Sequence, residues 1–235
     1  MRVALVHLGK KENLRELLRA LSPWVEEARE EGARLLLLPE LILGKRLEEG
    51  LEESLGELAE ASQLFLLAGL LAQGPRNRLR VFPKGPHYDK IHPYLALGEE
   101  GDEGVEAGEG PVVWTLGERR FGLALCYDLD FPELFRSYAL MGVEAFLVGS
   151  AWPGEYGELL LVLARARAAE NQAYLLLANR ADTGSPSFAV APDGHLLGLK
   201  DEEGLLLFDL DFAFLEAYRT RYPILRHRRP EAYRL

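Results

Sequence analysis

Residues 121–135 read FGLALCYDLDFPELF. An apolar strand runs into Cys126, and Pro132 opens a helix a few residues on, where proline fits a first turn. A residue at the carboxyl end of such a strand lies at the crevice where layered α/β sheets take their ligands. A thiol on so tight a strand-to-helix turn faces that crevice, and the backbone N–H of Tyr127 is free to point at a developing oxyanion.

The same alternation extends outward in both directions. Upstream, Arg2–Val6, Arg34–Leu38, Leu64–Leu70 and Arg78–Phe82 have the short apolar character of strands, and Asn13–Glu31 and Leu51–Ala61 have helical spacing. Val112–Trp114 and Phe121–Leu125 form a hairpin across Gly117. Downstream, helices over Phe131–Met141 and Tyr156–Ala169 alternate with strands over Val143–Val148 and Ala173–Ala178. A second hairpin turns at Asp193-Gly194, between Ser187–Ala191 and Leu196–Leu199, and a last strand, Leu205–Leu210, precedes a C-terminal helix. This pattern predicts an α/β layered fold with a mixed sheet. No repeat, low-complexity tract or linker breaks it, so residues 1–235 read as one domain.

Composition narrows the function. The 235 residues are 48% hydrophobic, enough for a sizeable core, with no apolar run long enough to span a membrane. The start, MRVALVHLGKKEN, lacks the long apolar region of a signal peptide. A net charge of −10 argues against nucleic acid or an anionic membrane as partner. The single cysteine cannot form an internal disulfide, so a cytoplasmic location is expected.

Two further segments carry groups that a nucleophilic thiol needs. RLLLLPE (34–40) places Glu40 after four leucines and a proline, again at the carboxyl end of an apolar strand, where a carboxylate is suited to act as a base. HYDKIHPY (87–94) offers Lys90 as a fixed positive charge that favours a thiolate and an oxyanion. His87 and His92 flank Lys90 and keep a Cys–His pair open as a rival scheme. His7, His92 and Cys126 share no metal-ligand spacing, so neither a metal nor an organic cofactor is expected. Trp152, in GSAWPG (149–154), falls at another strand end and is a candidate for the pocket wall, with core packing as the alternative.

Together LLLLPE, YDKIHP (88–93) and LALCYDLDFPELFR (123–136) resemble, in order, the three motifs of the nitrilase superfamily of carbon–nitrogen hydrolases. RARAAENQAYLLLANR (165–180) and SFAVAPDGHLLG (187–198) resemble its later segments, and YPILRHRRPEAY (222–233) resembles the tail of its amidase-like branch. The resemblance implies a four-layer α-β-β-α sandwich, with Glu40 as general base, Lys90 as oxyanion stabiliser and Cys126 as nucleophile. It implies hydrolysis of a small linear amide, omega-amidase-like, with a nitrilase, a carbamoyl hydrolase or a non-catalytic binding protein as alternatives. It also implies a second glutamate before Gly108, for which Glu99 is the best match and Glu100 and Glu103 are rivals. Such enzymes pair as homodimers or larger homo-oligomers, and the tail from Phe212 to Leu235 is suited to pack on a partner. Only 49 residues separate Glu40 from Lys90, a shorter span than is usual in the family.

Overall fold

The computed structural model describes residues 1–95 and 101–232. In chain order the first half runs β1 (Arg2–His7), α1 (Leu14–Glu30), β2 (Leu35–Leu37), α2 (Leu51–Ser62), β3 (Phe65–Ala72), β4 (Arg76–Phe82) and β5 (His87–Asp89). Next come β6 (Val113–Leu116), β7 (Arg119–Leu125), α3 (Pro132–Leu140), β8 (Ala145–Ser150), α4 (Gly157–Asn171) and β9 (Tyr174–Asn179). The chain closes with β10 (Ser187–Val190), β11 (Leu196–Lys200), β12 (Gly204–Asp209) and α5 (Phe212–Arg221).

The strands form two six-stranded sheets, ordered β12-β1-β2-β3-β4-β5 and β11-β10-β9-β8-β7-β6. Each is parallel at its centre, over β1-β2-β3 and β7-β8-β9, and antiparallel towards its edges. Central parallel strands are covered on both faces, which is why β2 is leucine throughout.

Period-two alternation decides which face each side chain meets. Val3 and Leu5 of β1 join Leu35, Leu67, Leu123 and Leu147 between the two sheets. Ala4 and Val6 point the other way, under Leu17, Leu21 and Leu55 of α1 and α2. On the far side Phe146, Val148 and Leu175 pack under Phe135 of α3 and Leu160 of α4. The result is the helix–sheet–sheet–helix sandwich that the resemblance implies. Each leucine fully buried here contributes about 2 kcal/mol.

The helices carry local reasons for their limits. Asn13 caps α1, its side chain accepting the Glu16 N–H at 3.0 Å. Leu17, Leu21, Val25 and Ala28 recur at helical spacing as its buried stripe. One element departs from the sequence expectation. The polar triplet His87–Asp89 forms the edge strand β5, paired antiparallel with β4.

Candidate active site

β7 ends at Leu125, and the chain turns through Cys126 at φ +44° into a 3₁₀ turn over Cys126–Asp130. A non-glycine residue in this left-handed region is strained by about 1 kcal/mol or more and persists only where its surroundings hold it. Asp128, fully buried, does the holding. Its Oδ2 accepts the Leu125 N–H at 2.8 Å and the Tyr88 hydroxyl at 2.7 Å. Its Oδ1 accepts the His92 N–H at 3.2 Å and lies 2.8 Å from ring Nδ1 of the same residue. His92 is thus engaged with Asp128 and stacks on Phe131, while His87 is exposed on β5. From the helix layer, Arg167 Nε donates to the Leu129 carbonyl at 2.9 Å and Nη1 lies 3.1 Å from Glu170. Asn171 Nδ2 donates to the Arg167 carbonyl at 2.9 Å.

Glu40 lies three residues past the end of β2 and is 2% exposed. Its N–H donates across to the Ser150 carbonyl of β8 at 3.3 Å. Gly69 of β3 lies against it so closely that a Cβ there would sit 2.4 Å from the Glu40 Cα. Lys90 Nζ donates to Glu40 Oε1 at 2.9 Å, and Asn77 Nδ2 donates to the same oxygen at 2.8 Å. Oε2 receives no hydrogen bond from the described residues. Asn77 belongs on the inward face of β4 with Leu79 and Val81, between the outward arginines 76, 78 and 80.

Lys90 follows β5, its N–H bound to the Asn77 carbonyl at 2.8 Å. A second carboxylate faces its ammonium. Asp102 Oδ2 accepts from Lys90 Nζ at 2.7 Å and from the Tyr94 N–H at 3.0 Å. Neither Asn77 nor Asp102 was singled out by the sequence. Of the glutamates proposed there, Glu99 and Glu100 lie outside the described residues. Glu103 is exposed, with its carboxylate folded back on the Gly101 N–H.

Glu40 and Lys90 therefore hang from the first sheet and Cys126 from the second. All three line one cavity of about 510 Å³, with Asp102, Tyr127 and Trp152 also in its wall. Trp152 lines the cavity and also packs in the cluster under α4. Its N–H donates to Asn179 Oδ1 at 2.7 Å.

The electrostatics are those of a neutral thiol beside a charged pair. Burial and the negative charge of Glu40 push the Cys126 thiol up to about 12, against the pull of Lys90, the Ala151 backbone and Ser150. Ser150 acts here by proximity, because its buried hydroxyl meets no partner at hydrogen-bonding geometry. Burial alone would lower the Lys90 pKa, but Glu40, Cys126 and Asp102 together raise it above the ordinary lysine value. Lys90 is therefore a permanent cation, whereas Cys126 must lose its proton to become a nucleophile.

The described residues contain no cluster of three His, Cys, Asp or Glu side chains able to hold a metal, and no helix long and apolar enough to cross a membrane.

A thiol on a strained turn, a carboxylate and a lysine thus meet where two such sheets pack. Residues 2–220 match the carbon–nitrogen hydrolase family model, and the chain belongs to that family, within the nitrilase superfamily. It is 28% identical to the chloroplastic omega-amidase of Arabidopsis thaliana, over 96% of this chain and 70% of that protein. A double mutant of the amidase from Nesterenkonia sp. AN1, solved in complex with acrylamide, superposes with a TM-score of 0.80 at 27% identity, covering 100% of this chain and 96% of the other. Nit3 of Saccharomyces cerevisiae, a member of branch 10 of the nitrilase superfamily, shares the fold with a TM-score of 0.82 at 24% identity, over 95% and 94% of the two chains.

Proposed function

We propose that this hydrolase cleaves the C–N bond of a small linear amide through a thioester on Cys126, in the manner of the omega-amidases among its relatives. The observation that carries this reading is the convergence of Glu40, Lys90 and Cys126 on one cavity, with one oxygen of Glu40 pinned and the other left to act.

Because the thiol rests protonated, it needs a base at the moment of attack. Glu40 takes the proton as the Cys126 sulfur bonds to the amide carbon. The oxyanion that forms is stabilised by the Lys90 ammonium and the Tyr127 N–H, donors fixed before the reaction starts. As the C–N bond breaks, Glu40 returns its proton to the nitrogen, which leaves as ammonia or an amine. Water then attacks the thioester, giving a proton to Glu40, and the sulfur departs and recovers that proton. Asp102 is a positioning residue here, aiming the Lys90 ammonium from the side opposite Glu40. We further propose that the enzyme works as a homodimer or larger homo-oligomer. Exposed Leu140, Met141 and Val162 on the outer helices support this, and a monomeric elution volume would remove it.

The test is ammonia release from a panel of linear amides, nitriles and carbamoyl compounds, with Cys126→Ala beside the wild type. Thiol-dependent release from amides is expected. Turnover by a folded Cys126→Ala protein at a comparable rate would overturn the scheme.

A further inference from the structure

Strand β8 is apolar until its last residue. Ser150 is fully buried there, and its Oγ has no hydrogen-bond partner. A buried hydroxyl left idle costs stability, and an alanine would fill the same space without that cost. The Ser150 carbonyl, by contrast, is occupied twice, by the Glu40 N–H at 3.3 Å and the Arg180 N–H at 3.0 Å.

The register of the sheet shows what the hydroxyl is near. Leu125 pairs with Gly149 across the parallel strands β7 and β8, which sets Cys126 level with Ser150. Val148 shares the Ser150 face by strand alternation and belongs to the cluster on which Cys126 packs. The electrostatics agree, because the Ser150 side chain and the Ala151 backbone both act on the thiol in the direction that favours ionisation. A neutral thiol is a weak acceptor, so the resting sulfur gives the hydroxyl little to bond. A thiolate is charged, and hydrogen bonds to it are correspondingly strong.

We infer that the Ser150 hydroxyl is a donor reserved for the Cys126 sulfur while that atom carries negative charge. The role rests on Cys126 being the nucleophile and adds a residue to that reading. A small turn of the Ser150 side chain aims its O–H at the sulfur as the thiol proton passes to Glu40 and the S–C bond forms. The same contact is made again as the sulfur leaves the thioester. Ser150 keeps its own proton throughout. A donor satisfied only in the charged state stabilises that state alone, and such differential binding is what speeds a reaction. Ser150 is not among the residues lining the cavity, so substrate affinity does not depend on it.

Ser150→Ala tests this with iodoacetamide, a probe that needs no amide turnover. One hydrogen bond to a charged group shifts an ionisation about ten- to hundredfold, and the greater reactivity of a more basic thiolate offsets roughly half of that on a logarithmic scale. Alkylation of Cys126 near pH 8 is therefore expected to slow about three- to tenfold. The Tm stays equal or rises, because an idle buried hydroxyl is gone. In amide hydrolysis kcat should fall with the alkylation rate while KM changes little. Unchanged alkylation would overturn the inference. So would a lowered Tm, the mark of a hydroxyl that was bonding within the fold or to a buried water. If the wild type turns over no amide, the amidase reading fails, and slowed alkylation at full stability still upholds the donor.

Discussion

Asn77 donates to Glu40 at 2.8 Å, on the same Oε1 that Lys90 holds at 2.9 Å. The amide adds no charge, so its contribution is orientation: two donors on one oxygen fix the plane of the carboxylate and direct Oε2 elsewhere. Replacing Asn77 with alanine is expected to lower kcat about 100-fold, the scale on which catalysis responds to small misplacements of a reacting group. Steady-state kinetics check this, with little change in KM, because Asn77 is not among the residues lining the cavity.

Gly69 is a second support for the same carboxylate. An added Cβ would lie 2.4 Å from the Glu40 Cα and 2.7 Å from the Pro39 carbonyl oxygen, so backbone must move. Gly69→Ala should cost about 1–3 kcal/mol of stability by overpacking, measured by urea denaturation. It should also reduce kcat, because the backbone displaced is that of Glu40.

Asp128 gathers donors from Leu125, Tyr88 and His92 onto one buried carboxylate. In Asp128→Asn one oxygen becomes an NH₂ group that faces hydrogen-bond donors. A loss of about 2 kcal/mol is expected from the unsatisfied groups, visible as a lowered denaturation midpoint. Activity should fall with it, since the positive φ of Cys126 loses its restraint.

The protonation of the site predicts behaviour in alkali. The Cys126 thiol is raised to about 12 in the folded chain from an ordinary 9.0, and Lys90 is raised from its ordinary 10.5. Above pH 9 the unfolded chain therefore holds fewer protons than the folded one, and stability falls as pH rises. Below pH 9 both groups are protonated in either state and the effect vanishes. Buried Tyr88 and Tyr138, also raised, add to the loss above pH 10. Thermal melts across this range should show a falling Tm, and Cys126→Ala should flatten the part of the slope that begins near pH 9.

The layered architecture was legible because its strands and helices keep clean periodicities, as in the buried stripe of α1 and the leucines of β2. Glu40 and Cys126 stood out because each follows an apolar strand, and Lys90 because it sits among apolar and aromatic residues in HYDKIHPY. Strand β5 did not, since a polar edge triplet pairs through its backbone and carries no hydrophobic signal. Asn77 sits in RNRLR, which reads as exposed by composition; alternation with Leu79 and Val81 places it inward, a signal that appears only when the strand is begun at Arg76. Asp102 lies in a run of acids and glycines, GEEGDEG, where no spacing sets its carboxylate apart from the others. Only the fold of that loop against Tyr94 and Lys90 chooses it.

In the proposed mechanism the base and the nucleophile come from different sheets, joined at the site by the Glu40 N–H to the Ser150 carbonyl. A chain in which one sheet has formed without the other has a protonated thiol and no carboxylate to activate it. Newly made or partly opened molecules then carry the thiol without its partner and cannot turn over an amide. The working pair comes into being only with the finished sandwich, so hydrolytic activity doubles as a report on whether the two halves of the molecule have closed.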